Sequence, residues 1–166
     1  ARAEGRLLIY HLPEGILSLD VLGAAVRSAL AEQGVRRVAI DSLAELVYSA
    51  RESARFPAYA RQLAAFVRNA GATGVITSET ATLGPLTEPL GGLSFLFHNV
   101  VLFRYIEQNS ELGLAVTVLK MRDSDHDRGL RQFTIDERGL TIGDRLEGLT
   151  GVLGWTALRE GPPPRA

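Results

Sequence analysis

The chain has 166 residues, 46% of them hydrophobic, which suffices for one substantial core rather than two. Eighteen basic and nineteen acidic residues give a formal net charge of -1, so no global field draws the protein onto nucleic acid or an anionic membrane. The absence of cysteine excludes disulfides, thiolate zinc sites and cysteine nucleophiles, and no apolar run approaches the roughly 20 residues of a bilayer span. We therefore expect a cytoplasmic protein of one domain without a membrane partner.

The first forty residues predict a strand, a helix and a second strand. Residues 7–12 form a short apolar, strand-like run. Ser18 suits the N-cap position, and apolar residues then recur at helical spacing up to Gly34, a residue type that commonly ends helices. Residues 38–40, Val-Ala-Ile, form a β-branched run too short for a helix. They predict a buried parallel strand.

The next forty residues repeat this alternation. A second helical stretch comes first, and Pro57 then suits the first turn of a further helix whose apolar stripe ends at Gly71. Residues 75–78, Val-Ile-Thr-Ser, give the next strand. Strands and helices in this rhythm predict a parallel sheet with helices on both faces, and ligands of such sheets bind outside the carboxyl ends of the strands.

The second half of the chain changes character. Its strand-like segments are separated by loops too short for crossover helices, so they predict antiparallel hairpins. The proline-rich residues 155–166 suit a linker or a disordered end, and we expect a domain over residues 1–154 followed by this tail. The four strand-like segments are residues 99–105, 114–121, 130–135 and 140–142.

Asp41 ends an aliphatic run, and this is the pattern of a Walker B strand. In such a strand the carboxylate emerges at the carboxyl end and holds a magnesium-bound water. The alternative is that Asp41 only caps the helix that follows, since aspartate is a preferred N-cap residue. The run by itself leaves both interpretations open.

Several further motifs occur in one order and register between about residue 4 and residue 154. They are RVAIDSL at 37–43, TSE at 77–79, SFL at 94–96, NVVLFRY at 99–105, VLKMR at 118–122, SDHD at 124–127, FTI at 133–135 and the glycines 139, 148 and 151. Together they resemble the KaiC family of circadian-clock and related RecA-fold ATPases. The resemblance implies a RecA-like three-layer α/β fold, with a central, mostly parallel sheet flanked by helices and C-terminal antiparallel hairpins, incomplete on its N-terminal side.

The resemblance also implies roles for particular residues, with ATP and Mg²⁺ as the cofactors of a complete domain. Asp41 would be the Walker B aspartate, contacting the metal indirectly, and Ser78 and Glu79 would lie near the γ-phosphate. The segment Lys120, Met121 and Arg122 resembles the one that reaches into the nucleotide of a neighbouring subunit. The residues expected around the sugar and base of that nucleotide are Ser124, His126, Asp136 and Glu137.

Elementary geometry agrees with a role for the two cations. Lys120 and Arg122 are two residues apart on a strand, so they point to the same side and can meet the negative charge of a phosphate. Lys120 is the only lysine among eighteen basic residues. The alternatives are that Lys120 is a solvated surface residue and that His126 is an ordinary loop histidine. Asp123 stands where the family commonly has glycine, and its charge would weaken anion binding unless it points away or pairs with Arg122.

The sequence also lacks a part that nucleotide binding normally requires. A P-loop has the pattern G-x-x-x-x-G-K-[ST], and the only lysine lies in Leu-Lys-Met. The paired catalytic glutamates of the family would likewise fall before residue 1. We therefore expect negligible ATPase activity from this chain alone.

Three interpretations of the chain stay open at this point. It is a piece of a full ATPase, a natural degenerate regulatory or assembly module, or a single-strand nucleic-acid-binding protein. Residues 80–98, the expected pore loop, contain no lysine or arginine, so the third ranks last. An incomplete sheet exposes apolar surface, which predicts self-association into a dimer or a larger assembly, whereas the full-length family forms hexamers.

Overall fold

The computed structural model describes residues 6–11, 18–42, 56–79, 93–108, 110–150 and 158–159. The chain divides into two compact units, residues 1–79 and residues 80–166. Among the described residues, the first unit has two helices and a pair of strands in alternating order, and the second has a short 3₁₀ helix and mainly antiparallel strands. In the first unit the elements are α1 (Leu19–Ala31), β1 (Arg37–Ile40), α2 (Phe56–Asn69) and β2 (Thr73–Ile76).

Helix α1 begins and ends where the sequence predicts. The Ser18 hydroxyl accepts a hydrogen bond from the Val21 N–H at 3.1 Å, so it satisfies one of the free donors of the first turn. After the last turn Gly34 adopts φ +69°, and the Val35 N–H donates to the Ala29 carbonyl at 3.0 Å. The left-handed glycine therefore ends the helix and directs the chain into β1.

Helix α2 follows the same rule. Pro57 occupies its second position, where the missing N–H leaves no helical bond unmade. Gly71 has φ +65° and stands two residues before β2 begins. Both glycine stops predicted from the sequence are confirmed.

The two strands of the first unit pair in parallel, as predicted, with Val38 opposite Gly74 and Ile40 opposite Ile76. The core consists of Val26, Leu30 and Val67, and Val38 packs against it. Both helices thus cover the face of the strand pair that carries Val38.

The other face of this strand pair is open within the described residues. Ala39 and Val75 are exposed on it, and Val75 is 58% exposed. The prediction that residues 38–40 form a buried strand is therefore wrong, because a two-stranded sheet with helices on one face leaves its other face to solvent. The helical stretch predicted before Pro57 lies outside the described residues.

The predicted strand at residues 7–12 is also not found. Residues 7–11 form neither helix nor strand, and residue 12 lies outside the described part of the chain. An apolar run becomes a strand only where a neighbouring strand supplies the ladder of hydrogen bonds. The run is instead attached through its side chains: the Gln33 side-chain amide, just after α1, donates to the Tyr10 hydroxyl at 3.1 Å.

The second unit confirms the predicted hairpins. Four strands form one antiparallel sheet in the order β3-β4-β5-β6, so each strand is hydrogen-bonded to the one that follows it in sequence. A short 3₁₀ helix, Ser94–Leu96, precedes this sheet, and two short strands pair after it. The strands are β3 (Asn99–Gln108), β4 (Glu111–Met121), β5 (Arg131–Asp136), β6 (Gly139–Arg145), β7 (Leu149–Thr150) and β8 (Leu158–Arg159).

The mixed α/β architecture, with a parallel pair followed by antiparallel hairpins, agrees with the fold class expected from the sequence. The predicted tail, residues 155–166, lies outside the described residues except for β8. Among the helices that the structure describes, none is long and apolar enough to cross a membrane.

Candidate functional site

The first group of candidate residues lies at the carboxyl ends of β1 and β2, and we call it the strand-end cluster (Asp41, Thr77 and Ser78). Asp41 follows β1 directly and Thr77 follows β2 directly, so parallel pairing brings them to the same edge of the sheet. The Thr77 hydroxyl donates a hydrogen bond to the Asp41 carboxylate, and the Thr77 N–H donates to the Ile40 carbonyl at 3.1 Å. The Asp41 side chain is thereby oriented while remaining exposed.

Ser78 and Glu79 continue from Thr77 at this edge. Ser78 is half-buried and Glu79 is exposed. The helix that Asp41 could have capped lies outside the described residues, so the capping alternative stays open. The sequence analysis did not predict the contact between Thr77 and Asp41. The available signal was that Thr77 directly follows β2 just as Asp41 directly follows β1, so parallel pairing brings both side chains to one edge of the sheet.

The second group lies where β4 ends, and we call it the cation cluster (Lys120, Arg122 and the carbonyls of Ser94 and Phe95). The Lys120 ammonium donates to the Ser94 carbonyl at 2.7 Å. The Arg122 guanidinium donates to the Phe95 carbonyl at 2.9 Å. Both cations therefore donate hydrogen bonds to carbonyls of the same 3₁₀ helix, as expected for two residues that point to the same side.

The backbone strengthens this arrangement. The Arg122 N–H donates to the His98 carbonyl at 3.0 Å, which extends the pairing of β3 and β4 beyond Met121. Met121 is half-buried opposite Asn99. Lys120 is half-buried and makes a short, directed hydrogen bond, which a purely solvated lysine would lack.

The segment after the cation cluster is the β4–β5 loop, residues 122–130. Asp123 adopts φ +63°, the left-handed conformation that glycine adopts most easily and aspartate tolerates. This conformation gives a physical reason for the glycine that the resemblance leads us to expect there. Ser124 and Asp125 are exposed, whereas His126 is half-buried. Neither ring nitrogen of His126 has a hydrogen-bond partner in the described structure.

Asp136 and Glu137 occupy the turn between β5 and β6. The Asp136 carboxylate accepts hydrogen bonds from the Arg138 N–H at 2.8 Å and from the Arg138 guanidinium at 2.9 Å. The Arg138 side chain and backbone together hold the pKa of Asp136 below its ordinary value. Glu137 is exposed beside it.

The structure separates this turn from the β4–β5 loop, because they lie at opposite ends of β5. Strand β5 spans Arg131–Asp136, so at about 3.3 Å per residue its ends are roughly 17 Å apart. Asp136 and Glu137 are thus not brought together with Lys120, Arg122 or His126. The six-residue length of β5 sets this separation, and it equals the length of the strand predicted at residues 130–135.

The mixed α/β fold agrees with that of a nucleotide-dependent ATPase domain. A model of the family described as the KaiC ATPase matches residues 8–147, and this is most of the chain. The chain therefore belongs to the KaiC ATPase family.

Relatives with assigned names agree with this membership. The chain is 32% identical over 157 residues to the circadian clock protein KaiC3 of a Synechocystis species, covering 93% of this chain and 31% of that protein. It is 30% identical over 135 residues to the circadian clock oscillator protein KaiC of Thermostichus vulcanus, covering 81% of this chain and 26% of the relative. The KaiC of Thermosynechococcus vestitus gives the same figures. The chain thus spans less than a third of the length of these relatives.

Proposed function

We propose that this chain contributes one edge of an ATP site formed between subunits, with the cation cluster facing the phosphates of a nucleotide that a neighbour holds. The convergence of Lys120 and Arg122 on one 3₁₀ helix carries this proposal. Two cations held on the same side suit a phosphate group, whose charge is spread over several oxygens. The 166 residues contain no P-loop pattern, so the phosphate-binding loop of the proposed site would lie outside them.

The hydrogen bonds of the cation cluster allow a phosphate to replace the carbonyls as acceptor. Lys120 and Arg122 each donate to a neutral backbone carbonyl. A phosphate oxygen carries negative charge whereas a carbonyl is neutral, so a phosphate can replace a carbonyl as the acceptor of these cations without a large rearrangement of the strand. The half-buried stem of Lys120 limits how far its ammonium group travels.

In the first unit, taken by itself, the strand-end cluster would supply a metal-side acid of an ATP site. Asp41 offers one exposed carboxylate, and Thr77 fixes its direction. No group of three or more potential metal-binding side chains gathers within the described ranges. This fits Mg²⁺, which binds one or two carboxylates together with water and substrate phosphates and which neutralises phosphate charge when bound. Ser78 and Glu79 would extend this edge toward the γ-phosphate.

The separation of the two ends of β5 suits an elongated ligand. Ser124 and His126 lie close in sequence to the cations, while Asp136 and Glu137 lie roughly 17 Å away along the strand, at about 3.3 Å per residue. The phosphate end of the nucleotide would lie near the β4–β5 loop and the sugar and base toward the β5–β6 turn. Ser124 and His126 would then lie at the phosphate end, which differs from the sugar-and-base role that the resemblance implies for them. Asp136 would then have to share its carboxylate between Arg138 and the ligand.

The chain alone is proposed to be inactive, because it provides an acid and two cations without a phosphate-binding loop. Hydrolysis, assembly and any role in circadian timing would be properties of a complete, cytoplasmic assembly. A degenerate module that assembles with partners without hydrolysis is the alternative within the same family.

Titration of the isotope-labelled chain with Mg-ATP, followed by amide chemical shifts, tests this proposal. Without a P-loop we expect dissociation constants of about 1 mM or weaker, which correspond to about -4 kcal/mol or less favourable, and no heat measurable by calorimetry at micromolar concentration. The saturable shifts should occur at residues 93–98 and 120–126, with further shifts at the strand-end cluster and at Asp136 and Glu137. No ATP hydrolysis should be detected.

A double substitution, Lys120→Ala with Arg122→Ala, should remove these shifts. Arg68→Ala, which removes an exposed cation from the last turn of α2, is the matched control and should leave them unchanged. Shifts that persist in the double variant, or tight binding by the unmodified chain, would contradict the proposal.

A further inference from the structure

Asp127 is the most heavily hydrogen-bonded carboxylate of the β4–β5 loop. One of its oxygens, Oδ1, accepts a hydrogen bond from the Gly129 N–H at 2.7 Å. The other, Oδ2, accepts from Arg131 through Nε at 3.1 Å and Nη2 at 2.9 Å. A fork of this kind fixes the direction of both side chains as well as their separation.

The end of the loop that contains Asp127 is attached to three strands. The buried Thr117 of β4 donates from its hydroxyl to the Arg128 carbonyl at 3.4 Å. Arg131 is the first residue of β5, and the Leu146 N–H, directly after β6, donates to the Leu130 carbonyl at 2.8 Å. The Asp127–Arg131 pair therefore connects the loop to a rigid frame.

Packing around this pair leaves no room for an additional side chain. Gly129 is buried, and a Cβ atom there would lie 2.9 Å from Asp127 Oδ1 and 3.1 Å from Arg145 Nε. Both distances are shorter than ordinary van der Waals contact. The turn from Asp127 to Arg131 is thus closed tightly by its own polar groups.

The other end of the loop is held by the cation cluster, through the Arg122 N–H and side chain. The four residues 123–126 lie between these two attachments. Four residues tethered at both ends have little freedom as long as both attachments are formed.

We propose that Asp127 is a positioning residue, which braces the β4–β5 loop so that Ser124 and His126 stay beside the cation cluster. The role of the loop in nucleotide binding rests on the proposed function. The bracing of the loop rests only on the contacts of Asp127. The Gly129 N–H and the Arg131 guanidinium keep the pKa of this carboxylate below its ordinary value, so the brace is ionised at neutral pH.

Substitution Asp127→Asn tests the brace. Asparagine keeps an oxygen for the Gly129 N–H but presents an amide to Arg131 and removes the charge. Backbone order parameters of residues 124–126, measured by relaxation of the chain without nucleotide, should fall from about 0.85 toward 0.6. The shifts that Mg-ATP induces at these residues should be lost, while those at Lys120 and Arg122 remain.

Two further variants make the test specific. Arg131→Lys keeps the charge but loses the fork, so it should give an intermediate loss of order. Arg138→Gln breaks the similar ion pair in the β5–β6 turn and should leave the order of residues 124–126 unchanged. Unchanged amide shifts in β3 and β6 establish that each variant is folded.

The possible outcomes separate the brace from the proposed function. Unchanged loop order in Asp127→Asn would overturn the brace, and lost order with unchanged Mg-ATP shifts at Ser124 and His126 would overturn the positioning role. If Mg-ATP shifts no residue of the unmodified chain, the proposed site fails together with the positioning role, while the order parameters still decide whether the brace exists.

Discussion

At the scale of single residues, three aspartates are each oriented by a donor that lies close to them in the fold. Asp41 accepts from the Thr77 hydroxyl, Asp127 from Arg131, and Asp136 from Arg138. An exposed carboxylate gains little free energy from one ion pair, but it gains a defined direction. Direction is what a metal-side acid or a loop brace requires.

Acid should weaken the unit that contains Asp127. The pKa of Asp127 lies below its ordinary value of 3.8 in the folded chain, first because of the Gly129 N–H and then because of Arg131. A lowered pKa means that the folded state favours the ionised form, so the stabilisation is present above pH 3.8 and is lost as pH falls through the folded value.

The expected measurement is a series of urea midpoints from pH 7 to pH 3. The unmodified chain should lose stability below about pH 4, and its advantage over Asp127→Asn should shrink over the same window. Every other titratable group is present in both proteins, so its contribution cancels in the difference between them. A difference between the two proteins that does not depend on pH would contradict the ionic role of Asp127.

At the scale of elements, the sequence predicts the ends of the helices better than it predicts the burial of the strands. Ser18, Gly34 and Gly71 act locally, through a cap or a left-handed turn, so their effects follow from residue type. The strand predicted at residues 7–12 and the burial of β1 depend on neighbours that a local pattern does not contain. These are the points at which the predictions were wrong.

Substitution of Gly71 by alanine should test the left-handed helix stop. Alanine at φ +65° suffers a backbone clash, so we expect a loss of about 1 kcal/mol in the free energy of unfolding. Gly74→Ala is the matched control three residues away, where a Cβ would lie 3.5 Å from a Val67 methyl in ordinary contact. Urea unfolding of both variants measures the difference, and equal stability of the two would show that Gly71 does not require its conformation.

At the scale of the whole molecule, the sequence predicted the polar residues of the candidate site more readily than their partners. Asp41 and Lys120 stand in recognisable motifs. Ser94 and Asp127 also stand in motifs, SFL and SDHD, but these motifs do not predict their contacts with Lys120 and Arg131. Backbone acceptors carry no sequence signature, and contacts across a loop are set by folding.

The sheet of the second unit exposes apolar side chains on one face. Antiparallel pairing puts Phe133 opposite Ile142 and Ile135 opposite Leu140, and the Phe103 ring contacts Phe133 edge to face with centroids 5.3 Å apart. A contiguous apolar surface of this kind favours association. The exposed members of this face are Val101, Phe103, Tyr105, Ile135, Leu140 and Ile142.

We expect the chain to self-associate through this face. Its net charge of -1 offers little repulsion between copies, and burying the apolar side chains of two copies removes them from water. Ile135 and Ile142 are 66% and 55% exposed, so threonine at both positions preserves the strand while reducing the apolar area. The double variant should associate at least about tenfold more weakly, since two lost methylene contacts per copy exceed about 1.4 kcal/mol.

Light scattering over a wide range of concentration measures this effect. Val75→Thr, at a position 58% exposed in the first unit, is the control and should leave association unchanged. If association weakens equally in both variants, the effect is not specific to the β3–β6 sheet, and the contact between copies does not lie on that sheet alone. A monodisperse monomer at every concentration would contradict self-association itself.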